Sequence, residues 1–283
     1  RYTSLHVGGI ADIMIYPATV QELQTVIHYS RKHAIPYCIM GRGTNLLVKD
    51  GGIRGIVIKL SRCCSTVKVT ETVKSQVTLT AGAGVSLKRL LTFAVKGSLS
   101  GLEFLTGIPG SLGGALAMNA GAQGKEMKDI TDTITLLTPQ AEVIEQHSGE
   151  LHFTYRNLAL SRGTVILKAV LKMKQSTRSI LLGRIEKINR WRRRVQPLNL
   201  PSAGSVFKNP PGQSAGQLVE QAGLKGFTLG NAQISDKHAN FIVNRGGATA
   251  RDVLSLMDIM QNRVYQATGI QLEPEICIAG ENG

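Results

Sequence analysis

The stretch Gly107-Ile108-Pro109-Gly110-Ser111-Leu112-Gly113-Gly114-Ala115-Leu116-Ala117-Met118-Asn119-Ala120-Gly121-Ala122 constrains this chain more than any other, because it is rich in glycine and carries no charge. So few side chains leave backbone N–H groups bare and able to approach a ligand closely. Serine-rich filler is missing, while Ile108, Leu112, Leu116 and Met118 supply apolar anchors. The pattern predicts an ordered ligand loop rather than a flexible linker. A pyrophosphate suits such a surface.

A chain of 283 residues, 42% hydrophobic and 18% charged, is long enough for about two ordinary globular domains. No apolar run is long enough to span a bilayer, and residues 1–6 lack an apolar signal core, so a cytoplasmic protein with no membrane insertion is expected. Cys63 and Cys64 are adjacent while Cys38 and Cys277 stand far away, a pattern of reduced thiols rather than of a metal knuckle or a disulfide framework. The histidines share no ligand spacing, and no metal is expected.

The net charge of +14 admits nucleic acid, an anionic surface or small polyanionic substrates. Aromatic residues make up only 5% of the chain and no nucleic-acid-binding motif is present, which disfavours the first. The one dense basic run, Arg190-Trp191-Arg192-Arg193-Arg194, falls in a helical pattern and reads as a solvated face.

Along the chain, Thr19 caps a helix over 20–34, and a strand over 35–40 leads into the second glycine turn, 41–48. Strands follow over 55–60 and 76–81, then a helix from Ser86 that stops at Gly97. Three strands over 132–138, 141–146 and 164–173 read as antiparallel, the first two joined by Pro139-Gln140. A helix over 180–195 bridges to a different unit, with Pro197 and Pro201 marking the stop. Ser214 and Thr249 each open a further helix, ended by Gly223 and Gly269. In the last strand, 270–278, alternation places Glu273 and Glu275 on one face. The fold class is α+β.

Neither glycine turn is a dinucleotide fingerprint: Leu46 stands where the third glycine of G-x-G-x-x-G belongs, and 82–87 fails at the same place. A Rossmann cofactor is disfavoured, yet two glycine loops in one unit can together hold an extended dinucleotide by backbone contacts. Arg156, after Tyr155, can grip a carboxylate through its bidentate fork or sit as a surface arginine in a turn. Ser205 presents a hydroxyl in a small-residue turn with Lys208 and Asn209 close behind, a proton donor beside an anion clamp or a turn with no chemistry. No nucleophile elbow surrounds it. Glu273 and Glu275 suit acid–base work or a solvated edge equally.

Taken in order, 41–48, 107–115, 119–122, Tyr155-Arg156, 204–210 and 272–276 resemble the UDP-N-acetylenolpyruvoylglucosamine reductase family (MurB), over residues 3–278. The resemblance implies a two-subdomain FAD-binding fold of the vanillyl-alcohol-oxidase type over 1–178, with subdomains of about 1–62 and 63–178. A smaller α+β substrate-binding domain over 179–283 would follow. The short spacing from Arg156 to Ser205 matches the family's shorter, type II form. FAD would be held by Gly41, Arg42, Gly43, Thr44, Asn45 and Leu46 together with Gly107, Ile108, Pro109, Gly110, Ser111, Gly113, Gly114, Asn119, Ala120 and Gly121. NADPH would reduce the flavin, whose hydride passes from N5 to C3 of the enolpyruvyl group while a proton reaches C2, giving UDP-N-acetylmuramate for peptidoglycan. By the same resemblance Ser205 gives the proton, Arg156 and Glu275 surround the enolpyruvyl group, and Asn209, Lys208 and Tyr155 contact substrate. A monomer is expected, and the positive charge then serves polyanionic ligands. Gln123, Tyr2 and Leu158 depart from the family pattern at an aromatic, an asparagine and a serine position.

Overall fold

A computed structural model describes residues 2–283; Arg1, where the first expected domain begins, lies outside the described residues. The chain packs into two compact units that do not follow a linear division at residue 178. Among the described residues one comprises 13–42 and 55–191; the other comprises 2–12, 43–54 and 192–283.

The first unit holds the glycine segment. Helix α1 (Val20–Lys32) starts where expected, with Thr19 Oγ1 accepting from Glu22 N, and it buries Leu23 and Ile27 completely. Each such side chain contributes roughly 1.5–3 kcal/mol by leaving water. Glu22 reaches back to Ala18 N rather than to the cap itself. A three-stranded sheet runs in the order Ala11–Ile15, Ile53–Ile58, Tyr37–Ile39, the last two parallel.

A larger antiparallel sheet follows the order Val143–His147, Thr131–Leu137, Val165–Gln175, Gln76–Gly82, Val67–Val73. The short strand Leu99–Ser100 pairs with the end of Val165–Gln175. Helix α2 (Leu87–Lys96) opens on Ser86 and closes on Gly97, as the sequence predicts. Helix α3 (Leu112–Ala117) lies inside the glycine segment and is capped by Ser111. Val67–Val73 was not anticipated; it is an edge strand with nearly every side chain in solvent.

Helix α4 (Arg178–Val195) carries the chain across the boundary between units, which falls inside it at residues 191 and 192. In the second unit a four-stranded sheet runs Ser202–Ser205, Phe241–Asn244, Ala232–Ile234, Thr228–Leu229, backed by α5 (Ala215–Gln221) and α6 (Ala250–Thr268). Its core gathers Phe207, Leu218, Ile234, Val253, Leu256, Met260 and Val264 with Leu5 and Leu47 from the chain's start.

Three ties explain why residues 2–12 and 43–54 join this unit. Leu46–Val48 pairs in parallel with Cys277–Ala279. Asp50 accepts from Ala250 N and Arg251 N, each at 2.9 Å, so a carboxylate from far upstream caps α6. Asn244 donates to Leu5 O at 3.0 Å.

The expected strand over 270–278 is corrected: only Cys277–Ala279 is regular strand. Pro274 has no N–H for a ladder, and the segment before it makes a single bridge, Phe207 to Pro274. Glu273 and Glu275 therefore do not share a strand face.

Candidate active site

Gly41, which opens one glycine turn, meets the longer glycine segment within the first unit: a Cβ placed on Gly41 would fall 2.5 Å from Ser111 Oγ, so a larger residue there would displace that hydroxyl. Ser111 caps α3 through Gly114 N at 3.4 Å. The other donors at the start of α3 are consumed by the fold, Leu112 N by Val85 O and Gly113 N by Ala83 O, both at 2.9 Å. Gly113 was expected against the cofactor. Instead its Cα packs on Ala83, 2.9 Å from where a Cβ would stand, so its smallness serves helix-on-strand packing.

The ligand face lies earlier. Gly107 (φ +72) and Pro109 are exposed, Ile108 and Gly110 half-buried, and the N–H groups of Gly107 and Gly110 donate to no acceptor among the described residues. Thr106, just before them, is 1% exposed with its Oγ1 unpartnered among the described residues. A buried hydroxyl without a partner marks a place where a polar ligand or water completes the structure. Arg42, in the other turn, is exposed, and Lys59 is half-buried with its ammonium held below the ordinary lysine value by burial and then by the Arg42 charge. Two cations so placed fit a pyrophosphate. Gly114 is exposed, and a Cβ there would meet only Ser111 Oγ at 3.4 Å, leaving its outer face open.

Asn119, Ala120 and Gly121 close the segment. Asn119 is fully buried at φ +39, its Nδ2 donating to Glu126 Oε2 and Thr154 O and its Oδ1 accepting from Lys128 N. These bonds commit its side chain to the fold. Ala120 N donates to Ala115 O, and Gly121 pairs with Glu126 in a tight hairpin.

Thr154 O lies on the hairpin that displays Arg156. Strands Phe153–Thr154 and Asn157–Leu158 leave Tyr155 and Arg156 as the two turn residues, with Arg156 left-handed at φ +58. Such a backbone costs about 1–3 kcal/mol and persists only where surroundings enforce it. Here the guanidinium lies 5.0 Å over the Tyr155 ring and Nη1 donates to Gly121 O at 3.4 Å, which ties its position to the glycine segment.

A cavity of about 690 Å³ in the same unit is lined by Phe104, Ile188 and Trp191, with Lys125, Lys187 and Arg184 as its cations. Arg184 is committed to Glu103 at 2.9 Å. Burial alone would raise the Glu103 carboxyl, but bonds from Gly101 N, its own N–H, Arg184 and Ser100 together hold it below its ordinary value.

In the second unit, Ser205 ends its strand opposite Phe241, and Gly204 before it has φ +83 with open space where a Cβ would be. The Ser205 hydroxyl makes no hydrogen bond to another described residue. The turn after it is clamped: Val206 N donates to Asn240 O, Phe207 N to Asn240 Oδ1, and Asn240 Nδ2 to Phe207 O. Asn240 is 3% exposed, and its role is not visible in the sequence.

Segment 205–208 then pairs with 273–276. Glu275 N donates to Val206 O and Lys208 N to Glu273 O, each at 2.8 Å. Ser205 and Glu275 are thereby held on neighbouring backbone-paired segments although seventy positions separate them. Asn45 Nδ2 donates to Glu275 O at 3.0 Å and Asn45 O accepts from Cys277 N, so residues 43–46 brace this corner. Gly43 is left-handed at φ +65 and Thr44 O accepts from Ser4 Oγ, while Leu46 pairs with Cys277.

Lys208 pairs with Glu273 at 3.3 Å, so the two glutamates have different tasks. Asn209 Oδ1 accepts from Ala215 N at 3.0 Å, which leaves its amide NH₂ unbonded among the described residues.

The basic run is not uniformly solvated. Arg192 is largely buried, with its guanidinium pushed below the ordinary arginine value by burial, and Arg192 Nε and Gln196 Oε1 are both buried without a partner among the described residues. A donor and an acceptor are thus left open four residues apart, which adjacent arginines in a sequence cannot reveal.

Comparison with known proteins matches two family models to the chain. An FAD binding domain model matches residues 11–146, and a model of the C-terminal domain of UDP-N-acetylenolpyruvoylglucosamine reductase matches 196–279. The reductase of that name from Heliobacterium modesticaldum is 44% identical over 285 aligned positions, covering 100% of this chain and 89% of the relative. That from Syntrophus aciditrophicus is 45% identical, covering 100% and 90%. The crystal structure of MurB from Thermus caldophilus superposes with a TM-score of 0.80 at 37% identity, covering 98% of this chain and 96% of that one.

Proposed function

The chain belongs to the UDP-N-acetylenolpyruvoylglucosamine reductase (MurB) family, and from that premise we propose that it reduces UDP-N-acetylglucosamine enolpyruvate to UDP-N-acetylmuramate with FAD and NADPH. The observation that carries the reading is the pairing of 205–208 with 273–276, which holds a serine hydroxyl, unbonded among the described residues, and a carboxylate on neighbouring segments beside an open glycine.

FAD fits the first unit, where Gly107, Gly110 and Ser111 present backbone, Thr106 offers a hydroxyl, and Arg42 with Lys59 supplies positive charge. When bound, the flavin supplies the hydride, taken from NADPH and delivered from N5 to C3 of the enolpyruvyl group. Arg156 binds the substrate carboxylate through two N–H groups and stabilises the negative charge that grows on it as C3 is reduced. Ser205 donates the proton to C2, and Glu275 holds a carboxyl beside the same group. Asn209 offers its NH₂ to the uridine diphosphate, and Arg192 with Gln196 offers the polar pair left open in the fold.

Lys125 and Lys187 on the 690 Å³ cavity favour a donor with an additional phosphate, NADPH over NADH. Among the described residues no helix is long and apolar enough to cross a membrane, and the reading places the enzyme in the cytoplasm as a monomer, in peptidoglycan precursor synthesis. The test is an anaerobic titration of the yellow holoprotein. NADPH should bleach the flavin band and the enolpyruvyl sugar nucleotide should restore it faster than oxygen does. Reoxidation by oxygen alone would make the chain an oxidase instead.

A further inference from the structure

Cys63 and Cys64 are adjacent in the chain, and their sulfurs lie 3.6 Å apart on the turn that follows strand Ile53–Ile58. Cys63 is half-buried and Cys64 buried. We propose that the pair is a peroxide-sensitive vicinal dithiol that closes reversibly to a disulfide, and that closure loosens the flavin-bearing glycine segment.

The two sulfurs are not equivalent. The hydrogen bond shared with Cys64 holds the Cys63 thiol below its ordinary value, while the same contact and burial push Cys64 up. Cys63 is the nucleophile and Cys64 the resolving thiol. The Cys63 thiolate attacks hydrogen peroxide, takes one oxygen to become a sulfenic acid, and the other oxygen leaves as water after protonation. Cys64 sulfur then attacks the sulfenic sulfur, the S–S bond forms, and the hydroxyl departs with the Cys64 proton as a second water. Two thiols lose two electrons, and one peroxide is reduced to two waters. Neighbouring Cα atoms stand about 3.8 Å apart, closer than the roughly 4.4–6.8 Å of relaxed disulfides, so the closed ring is strained and readily reduced.

The strain has a defined path. Cys63 N donates to Pro17 O and Cys64 N to Leu60 O, so both peptide units are engaged. Cys64 O accepts from Gly84 N at 2.8 Å, and a Cβ on Gly82 or Gly84 would collide with that carbonyl, so the turn and segment 82–84 have no slack between them. In and just after that segment, Ala83 O and Val85 O take Gly113 N and Leu112 N. Twisting the Cys63–Cys64 peptide therefore moves the carbonyls that seat α3. This second half rests on the flavin reading above; the thiol chemistry does not.

The test uses the holoprotein as purified. After peroxide treatment and alkylation of free thiols, trypsin cuts after Arg62 and Lys68 and releases both cysteines in one peptide. The expected result is that peptide unalkylated and lighter by two hydrogens than its reduced form, restored by dithiothreitol, with Cys38 and Cys277 alkylated. Cys63 recovered as sulfinic acid beside an alkylated Cys64, a disulfide to another cysteine, or four alkylated thiols would each overturn the dithiol. Flavin retention, read as free-flavin fluorescence, should fall several-fold on oxidation of the wild type and not in Cys64→Ser. Unchanged retention in fully oxidised protein overturns the coupling and leaves the dithiol standing. Protein that never holds flavin overturns both the coupling and the flavin reading, while the peptide masses still decide the thiol chemistry.

Discussion

The glycine segment and the serine turn are both built from small residues, and they use smallness in opposite ways. At Gly113 the missing side chain is occupied by the protein itself, with Ala83 where a Cβ would stand. At Gly204 nothing occupies that space, and glycine is required by the backbone, whose φ of +83 aims the next residue. Smallness at 113 makes a packed support; at 204 it leaves room beside the Ser205 hydroxyl. A glycine in a ligand-binding stretch is thus evidence of contact only when the space around it is open, as at Gly114.

The sharpest way to break the comparison is to remove the hydroxyl that the open turn presents. Ser205→Ala should lower the substrate half-reaction by about 10²- to 10⁴-fold, the range of a lost general acid, and leave reduction of the flavin by NADPH intact. Stopped-flow measurement of the two half-reactions separates them, and equal losses would make Ser205 structural. Next in size is Gly113→Ala, which overpacks Ala83 and should cost about 1–3 kcal/mol of stability with loss of bound flavin. Gly114→Ala should keep stability, since the site is open and alanine is up to about 1 kcal/mol the better helix former. If both variants unfold alike in thermal melts, the distinction between packed and open glycines fails.

Asn240→Ala tests how the serine turn is held. Phe207 N–H and C=O both lose a partner in a buried setting, at about 1–3 kcal/mol, and the turn that positions Ser205 loosens. The expected signature is a slower substrate half-reaction with flavin reduction unchanged; equal slowing of both would reduce Asn240 to a fold residue. Gly204→Ala should cost about 1–2 kcal/mol through its left-handed backbone alone, with no clash to relieve.

Much of this was legible where the signal is local. Thr19, Ser86, Ser214 and Thr249 cap the helices they were expected to cap, because an N-cap needs only its own next three residues. The edge strand Val67–Val73 was missed although Val67, Val69 and Val73 alternate with Lys68, Thr70 and Thr72: Glu71 interrupts the valine face, most of these side chains stay in solvent, and pairing with Gln76–Gly82 makes the strand. The final segment misled because alternation was read through Pro274. At the candidate site, motifs gave Ser205, Arg156 and Glu275, but not what holds them. Asn240, Asp50 and Asn45 act on residues 33, 200 and 230 positions away, and no local pattern announces a partner at that range. Arg192 was hidden for another reason: its neighbours Arg193 and Arg194 are exposed and chemically identical, so only burial distinguishes it.

The smallest expected effect sharpens the electrostatic side of the comparison. Lys187 lines the cavity beside Trp191, where Arg184 is already neutralised by Glu103, so Lys187 and Lys125 carry its uncompensated positive charge. An exposed lysine facing one phosphate is worth about 0.2–1 kcal/mol, so Lys187→Ala should raise KM for NADPH by at most about fivefold. KM for NADH, which lacks that phosphate, should stay where it is, and the NADPH effect should shrink as salt is added. Equal shifts for both donors would mean that the cavity reads the shared part of the dinucleotide, or none of it. The positive charge of the chain would then act by general attraction of anions rather than through a placed pair of lysines.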